Sequence, residues 1–275
     1  MNAVLTIAAR EIRDGLRNRW IISLVVLLTA LSVGLYLLGS VPSGEVKASA
    51  MSISVVSLTA LSVYLLPLLA LMLSFDAVVG ESERGTLLLL LTYPVRRWQI
   101  IAGKYLGHGA ILGLAILAGY GGTALLIGFS SESGWRDVTA YLWMMASSWL
   151  LGCMFIGLGY LISVAVRERA AAVAGAISLW LVLVVFYDLG LLGLAIADQG
   201  RHVGERLFSI LLVMNPTDAY RLLNLAGTST VSRAAGMLGL PTTGGAATSV
   251  QLAVFAFWLV VPAALSAWLL NRREL

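Results

Sequence analysis

The sequence Gly80-Glu-Ser-Glu-Arg-Gly-Thr-Leu-Leu-Leu-Leu-Leu-Thr-Tyr-Pro-Val-Arg-Arg-Trp-Gln-Ile-Ile-Ala-Gly-Lys104 places five consecutive leucines, Leu87 to Leu91, between charged residues. This apolar run is too short to cross a bilayer, because a spanning helix needs about 20 apolar residues. Much longer apolar segments lie on both sides of it, at 53–75 and 105–129. The leucines are therefore predicted to lie in a loop at one membrane surface, between two spans.

The composition of the whole chain is typical of a polytopic membrane protein. Of its 275 residues, 59% are hydrophobic and 12% are charged, whereas an ordinary soluble domain has about 45–50% apolar and about 25% charged residues. We therefore predict an all-α membrane protein with one transmembrane domain, 1–275. Charged residues interrupt the first twenty positions, which argues against a cleavable signal peptide. The single cysteine, Cys153, excludes an internal disulfide.

Six segments are long and apolar enough to span a bilayer. They are residues 20–39, 53–75, 105–129, 138–166, 170–189 and 250–270. If both termini are cytoplasmic, 12 of the 18 Lys and Arg residues fall on the cytoplasmic side and 6 on the other. Basic residues concentrate in cytoplasmic loops, so this orientation is predicted. It places the loop 76–104 and the turn 167–169 in the cytoplasm.

Residues 2–19 are predicted to form an interfacial helix. At 100° per residue, apolar side chains form one stripe of this segment and charged side chains form the opposite one. The apolar stripe contains Leu5, Ala8, Ile12 and Leu16. The charged stripe contains Arg10, Arg13, Asp14 and Arg17. A helix of this kind lies along the lipid headgroups; the alternative is an extension of the first span.

The segment between the fifth and sixth spans, 198–249, is predicted to lie on the outer side in three parts. Residues 207–214 form an apolar run that is too short to span, so it either re-enters the membrane or packs on its rim. Residues 217–226, with Thr217 as candidate N-cap, predict an amphipathic surface helix. Residues 227–249 are rich in Gly, Thr and Ser and predict an exposed loop.

The spans themselves offer little ligand-binding chemistry. Glycines crowd the third and fourth spans, which predicts close helix packing, with a glycine-lined path as the alternative. Asp188 is the one carboxylate within or bordering a span, and it fits either an interfacial position or a place on a transport path or outer gate. Met144, Met145 and Cys153 carry soft sulfur atoms, but the adjacent methionines point to different helix faces. We expect no metal site.

The chain also lacks the motifs of an enzyme or a motor. A P-loop requires Gly-Lys followed by Ser or Thr, whereas Gly103-Lys104 is followed by Tyr105. A membrane enzyme is disfavoured because polar residues do not cluster, and a standalone channel because no ring of charges or filter sequence occurs. We therefore expect a non-catalytic subunit whose energy comes from another protein.

Loop 76–104 has the features of a helix that another protein could bind. Gly85 permits a sharp bend. Residues 86–92 can form a short helix that Pro94 ends, because the residue before proline avoids the helical region. Its leucines could enter a groove of a cytosolic partner; the alternative is that they pack against the ends of this chain's own helices. The charged residues expected to keep the preceding turn in water are Glu81, Glu83 and Arg84.

This loop resembles the motif of ABC-2-type transporter permeases. The resemblance lies in Glu83-Arg84-Gly85-Thr86-Leu87, Leu90-Leu91-Thr92, Pro94-Val95-Arg96 and Gly103-Lys104. It extends over nearly the whole chain, including the N-terminal helix, the six spans and the short outer helices. The resemblance implies an ABC-2 permease fold, similar to type V exporters, in a bacterial inner membrane.

The resemblance also implies partners and residue roles. In that family the loop is a coupling helix that docks into a separate cytosolic ATPase, and two permeases with two ATPases make one transporter. ATP and Mg²⁺ are then bound by the ATPase, and this chain carries no cofactor. The residues implied to couple to the ATPase are Glu83, Arg84, Gly85, Thr86, Leu87, Leu88, Leu90, Leu91, Pro94 and Arg96. A second cytoplasmic contact is implied for Arg13, Arg17, Arg167 and Arg169.

The whole sequence is similar to one branch of the family, the permeases of transporters that support maturation of nitrous oxide reductase, a periplasmic copper enzyme. This similarity implies a periplasmic partner protein, docked on residues 227–249 and the outer helices. Two functions stay open. The permease either exports a cargo, or it transmits ATP-driven motion to the periplasmic partner without moving any cargo.

Overall fold

The computed structural model describes residues 3–17, 19–39, 49–130, 135, 137–198, 205–225 and 248–272. Every regular element in these ranges is a helix, which confirms the all-α prediction. In chain order the elements are α1 (Ala3–Leu16), α2 (Arg19–Gly39), α3 (Ala50–Ser74), α4 (Val79–Glu83), α5 (Thr86–Leu91), α6 (Arg97–Ser130), α7 (Val138–Ala165), α8 (Arg169–Trp180), a π-helical segment (Leu181–Phe186), α9 (Tyr187–Asp198), α10 (Glu205–Met214), α11 (Pro216–Leu225) and α12 (Thr248–Arg272).

Six stretches of helix are long and apolar enough to cross a membrane, as predicted. They lie in α2, α3, α6, α7, α8–α9 and α12. At 1.5 Å per residue, the 34 residues of α6 extend about 50 Å, which exceeds the hydrocarbon thickness of about 30 Å. Helix α6 is therefore long enough to tilt or to project beyond the bilayer. It begins at the end of the bundle that carries α1, α4, α5 and the start of α8, here called the basic end.

The core lies around α3 and α7, the two most buried spans, while α8–α9 and α12 are the most exposed. Polar side chains inside this core find partners. The hydroxyl of Tyr141 donates to the carbonyl oxygen of Tyr120 at 2.8 Å, and the hydroxyls of Ser62 and Tyr120 are 2.9 Å apart. Pairing of this kind removes most of the cost of burying polar groups in an apolar interior.

Helix α1 is separated from α2 by a turn at Arg17 and packs against α6. The two predicted alternatives, an interfacial helix and an extension of the first span, both stay predictions. Ile7 and Ala8 form its buried face, while Leu5 and Leu16 of the predicted apolar stripe stay exposed. A side chain on α6 would block this contact: a Cβ on Gly107 would lie 2.5 Å from the Cβ of Glu11. Close packing is therefore the role of this glycine. The position of α1 along the headgroups stays a prediction.

We expect Gly107→Ala to destabilise the protein by about 1–3 kcal/mol, because the new methyl group forces α1 away from α6. Gly122→Ala is the matched control on the same helix, since a Cβ there meets nothing within 4 Å. It should leave stability unchanged or slightly raised. Thermal unfolding of both variants in nanodiscs measures the difference. Equal midpoints would contradict the close approach of the two helices.

Helix α11 is buried, so the prediction of an amphipathic surface helix is wrong. All of its residues except Arg221 are buried, in contact with α3, α7 and α12. Its polar groups are matched by α7: the hydroxyls of Tyr220 and Ser148 are 2.7 Å apart, and Ser147 donates to Asn224 at 3.0 Å. Ser148 lies about 15 Å along α7 from its start. The α10–α11 hairpin thus enters the bundle from the end opposite to α5.

The cap of α11 is Asn215 and not Thr217, because Asn215 Oδ1 accepts the backbone N–H of Thr217 at 3.0 Å. Asn215 Nδ2 also donates to the carbonyl oxygen of Leu183, in the π-helical segment, at 2.7 Å. One side chain therefore starts α11 and fastens it to the fifth span. The exposed loop predicted at 227–249 falls almost wholly on residues outside the described ranges.

Candidate functional site

The leucine run forms a short helix at the basic end, as the loop sequence predicts. Gly85 has a φ of 70°, in the left-handed region that favours glycine, and it turns the chain from α4 into α5. Leu87 is 1% exposed, whereas Leu88 and Leu89 are 56% and 66% exposed. Leu87 therefore packs into this chain's own core, as one alternative predicted, while Leu88 and Leu89 form an exposed apolar surface. Binding of this surface to a partner stays a prediction.

Two exposed side chains of this surface were not among the predicted coupling residues. Leu89 lies beside Leu88, and Tyr93 follows α5 with two thirds of its area exposed. The sequence carried a signal for both: at 100° per residue, positions 88, 89, 92 and 93 share one side of a helix. We call Leu88, Leu89 and Tyr93 the α5 surface.

The other predicted coupling residues occupy different surroundings. Glu83, Arg84, Thr86, Pro94 and Arg96 are exposed, and Leu90 is half-buried. The Leu91 side chain lies outside the described part of the structure. Thr86 donates through its hydroxyl to the carbonyl oxygen of Glu81 at 3.2 Å, which helps to fix the bend between α4 and α5.

A buried lysine joins α4, α6 and α1. Lys104 Nζ donates to Glu11 Oε1 at 2.6 Å and to Glu81 Oε1 at 2.9 Å, and its side chain is only 4% exposed. The expectation that Glu81 keeps the turn in water is therefore wrong, because it belongs to this ion cluster. Glu11, Glu81 and Lys104 are called the Lys104 cluster. Since α4 immediately precedes α5, the cluster fixes the base of the α5 surface to two other helices.

Lys104 stabilises the Glu11 carboxylate. Burial alone would raise the pKa of Glu11, but the attraction and hydrogen bond of Lys104 hold that pKa below its ordinary value. His108 Nε2 lies 3.6 Å from Glu11 Oε2. On its other side, His108 Nδ1 is 2.7 Å from the hydroxyl of Tyr160 on α7. His108 therefore joins α6 to the central helix α7 by a hydrogen bond, and its other ring nitrogen lies near the cluster without a hydrogen bond to it.

A second set of contacts joins α4 to the start of α8. Arg169 Nη2 donates to Asp76 Oδ2 at 2.7 Å, and the backbone N–H of Arg169 donates to Glu83 Oε1 at 2.8 Å. The hydroxyl of Ser163, near the end of α7, accepts the N–H groups of Val78 and Val79, both at 3.0 Å. These bonds satisfy donors at the start of α4. The turn predicted to flank the loop does lie beside it.

Of the four arginines expected to make a second contact, only Arg169 has an intramolecular partner described above. Arg13, Arg17 and Arg167 are exposed. Arg97, at the start of α6, has a structural role instead: its Nη1 donates to the carbonyl oxygen of Leu270 at 2.8 Å. A cation at the end of α12 satisfies carbonyl groups that lack helical partners.

A cleft of about 500 Å³ opens beside the Lys104 cluster, between α1 and the end of α3. Its walls include Ile21, Met72 and Ile111, and its polar lining includes Asp14 and Asp76. Among the residues that the structure describes, no three His, Cys, Asp or Glu side chains come together in a group that could hold a metal ion.

Asp188, which was predicted to lie near the outer side of the membrane, is far from the α5 surface. It is in the first turn of α9, and its Oδ2 accepts a hydrogen bond from Arg221 Nη2 of α11 at 2.8 Å. The residue therefore joins the fifth span to the buried hairpin. Its partner could not be foreseen, because the sequence placed Arg221 on an exposed helix.

Known proteins share both the length and the sequence pattern of this chain. The family model described as ABC-2 family transporter protein matches residues 5–275. A probable ABC transporter permease protein NosY from Pseudomonas aeruginosa is 42% identical over 277 residues, covering all of both chains. A protein of the same description from Stutzerimonas stutzeri is 42% identical over 273 residues, which covers 98% of this chain and 94% of the relative. The chain therefore belongs to the ABC-2 family of transporter proteins, as a multi-pass membrane permease.

Proposed function

We propose that this chain couples a separate cytosolic ATPase to the membrane, and that the α5 surface is the docking site. The observation that carries the proposal is the exposure of Leu88 and Leu89 on a helix of six residues. Such a helix is too short to span the membrane, and an exposed apolar cluster on a loop favours a protein partner. ATP and Mg²⁺ belong to the partner in this proposal.

In the proposed orientation, the basic end lies in the cytoplasm and the α10–α11 hairpin lies on the periplasmic side of a bacterial inner membrane. The distribution of basic residues supports this orientation. Helix α1 then lies at the cytoplasmic headgroups, with Leu5 and Leu16 toward lipid. Arg13, Arg17 and Arg167 are free to make the second contact with the ATPase.

Movement of the ATPase would reach the spans through rigid connections. α5 is tied to α3 and α6 by the short segments on either side of it, and α4 is held by the Lys104 cluster and by Arg169. A displaced α5 therefore pulls on α3, α6 and α8 together. Two such chains form a homodimer in the proposed transporter. Shifting its two-state equilibrium from 1:99 to 99:1 requires about 5.5 kcal/mol.

We propose that the transporter serves maturation of the copper sites of nitrous oxide reductase, together with a periplasmic partner protein. Similarity over the full chain to two proteins named as NosY permeases supports this assignment. The cargo would be copper, a sulfur compound or none. In the cargo-free alternative, motion alone is transmitted to the periplasmic partner.

The test of ATPase docking is copurification of the ATPase subunit with Leu88→Asp and Leu89→Asp variants of the full chain. A carboxylate in an apolar groove should weaken binding by about 30-fold or more, the size of a hot-spot effect. Leu88→Met keeps the apolar contact and is the matched control. If both aspartate variants retain the ATPase and support nitrous oxide reductase activity in cells, the α5 surface is not the docking site.

A further inference from the structure

Two carboxylates share one guanidinium group at the end of the bundle opposite to α5. Arg221 Nη2 lies 2.8 Å from Asp188 Oδ2, and Arg221 Nη1 lies 3.1 Å from Asp218 Oδ1. Asp218 and Arg221 are one turn apart on α11, while Asp188 extends from the first turn of α9. Because both carboxylates bind the same guanidinium group, they lie close to each other. We call these three residues the Asp–Arg triad.

The triad is unbalanced when both carboxyl groups are ionised. Asp218 is 1% exposed, and neither of its carboxyl oxygens has a hydrogen-bond partner of good geometry among the described residues. Two carboxylates and one guanidinium carry a net charge of −1, which is costly at such a buried position. One bound proton removes this charge.

Of the helices packed against α11, α3, α7 and α12 supply no cation near the triad, while α10 begins with Glu205 and Arg206, whose side chains lie outside the described part of the structure. The sequences of α3, α7 and α12 contain no Lys, Arg, Asp or Glu before Arg272, at the far end of α12. The titratable side chains that act on the triad from neighbouring elements are Tyr64 of α3, toward Arg221, and Tyr187 of α9, toward Asp218. From α7, the groups that contact α11 are the hydroxyls of Ser147 and Ser148.

We propose that Asp218 is a proton-binding site beside the ion pair of Asp188 and Arg221: its buried carboxyl group takes up one proton, so that the three residues together carry no net charge. Loss of the proton leaves two negative groups side by side, and their repulsion weakens the attachment of α9 to α11. The hairpin is thus held more firmly when the solution on its side of the membrane is acidic. This inference does not depend on the proposed docking of an ATPase.

The pKa of Asp218 agrees with this geometry. This pKa is raised to about 7: burial is the main cause, the attraction of Arg221 opposes the rise, and the charge of Asp188 adds to it. Because the folded-state pKa lies above the unfolded value of about 3.9, the folded state binds the proton more tightly. Stability therefore rises as the pH falls from about 7 toward about 4. The proton-binding site changes state near neutral pH.

The test is pH-difference infrared spectroscopy of the full chain in nanodiscs, between about pH 6 and about pH 8. The wild-type protein should lose the carbonyl band of a protonated carboxyl group as the pH rises, with a midpoint near 7. Asp218→Asn should abolish this change. Asp188→Asn should shift the midpoint to lower pH, because it removes the negative charge beside Asp218 while the burial of Asp218 remains.

Asp14→Asn is the matched control, since Asp14 is an exposed carboxylate in a surface pair with Arg10. This variant should keep the wild-type band. The unfolding midpoint gives a second readout: in the wild type it should rise as the pH falls through neutrality, and in Asp218→Asn it should be flat. A wild-type spectrum without a titrating carboxyl band, or a band unchanged in Asp218→Asn, would overturn the proton-binding site.

Discussion

A Lys104→Met variant is expected to lose about 3–5 kcal/mol of its free energy of unfolding. The replacement keeps an unbranched side chain of similar length, so the packing of α6 changes little. What disappears is the charge that holds Glu11 and Glu81 at 2.6 and 2.9 Å. Two largely buried carboxylates are then left without their cation, and an uncompensated buried charge is far more costly than the loss of a surface ion pair.

Reversible unfolding in mixed micelles measures this loss, with Arg10→Met as the control. Arg10 pairs with Asp14 on the exposed face of α1, and its replacement should cost less than about 1 kcal/mol. The combined variant Lys104→Met with Glu11→Gln and Glu81→Gln should recover most of the stability, because it removes every charge of the cluster. A single-variant loss as small as that of Arg10→Met would mean that the Lys104 cluster does not hold α4 in place.

Leu87→Ala should cost about 2–5 kcal/mol, whereas Leu88→Ala, one residue later, should change stability by less than about 0.5 kcal/mol. Leu87 fills a position in the core of the bundle, and its truncation leaves a cavity. Leu88 is exposed and leaves none. Hydrogen exchange should show faster opening of α4 and α5 in Leu87→Ala alone.

The two alanine variants also distinguish a residue that supports α5 from within from a residue that contacts the ATPase directly. Leu88→Ala should weaken ATPase binding in a stable protein, while Leu87→Ala should weaken it through loss of the structure that presents α5. If Leu88→Ala proved to be the destabilised variant, the direction in which α5 faces would have to be reversed.

The spans were predictable because each depends on one property of a continuous segment, its apolar length. The bend and the end of α5 were predictable for a similar reason, since Gly85 and Pro94 act on the backbone within a few residues. The Lys104 cluster was not predictable, because Glu11 and Lys104 are distant in sequence and come together only through the packing of α1 against α6. Patterns within a single sequence do not show which distant residues come into contact.

Helix α11 was misassigned for a physical reason. Its many polar groups suggested a helix that faces water, but the hydroxyls of Ser148 and Ser147 on α7 form hydrogen bonds with two of them instead. Two serines in the middle of a membrane span were a usable signal for such a partner. The cap could also have been found, because Asn followed by Pro at the first helical position is a common helix start.

The π-helical segment Leu181–Phe186 sets the rotational register of the fifth span. On its near side, Trp180 Nε1 donates to the carbonyl oxygen of Tyr64 at 2.9 Å, and on its far side Asp188 contacts Arg221. Removing one residue between these contacts would turn everything beyond it by about 100°. Both contacts cannot survive such a rotation, so this segment accepts substitutions far more readily than changes in its length.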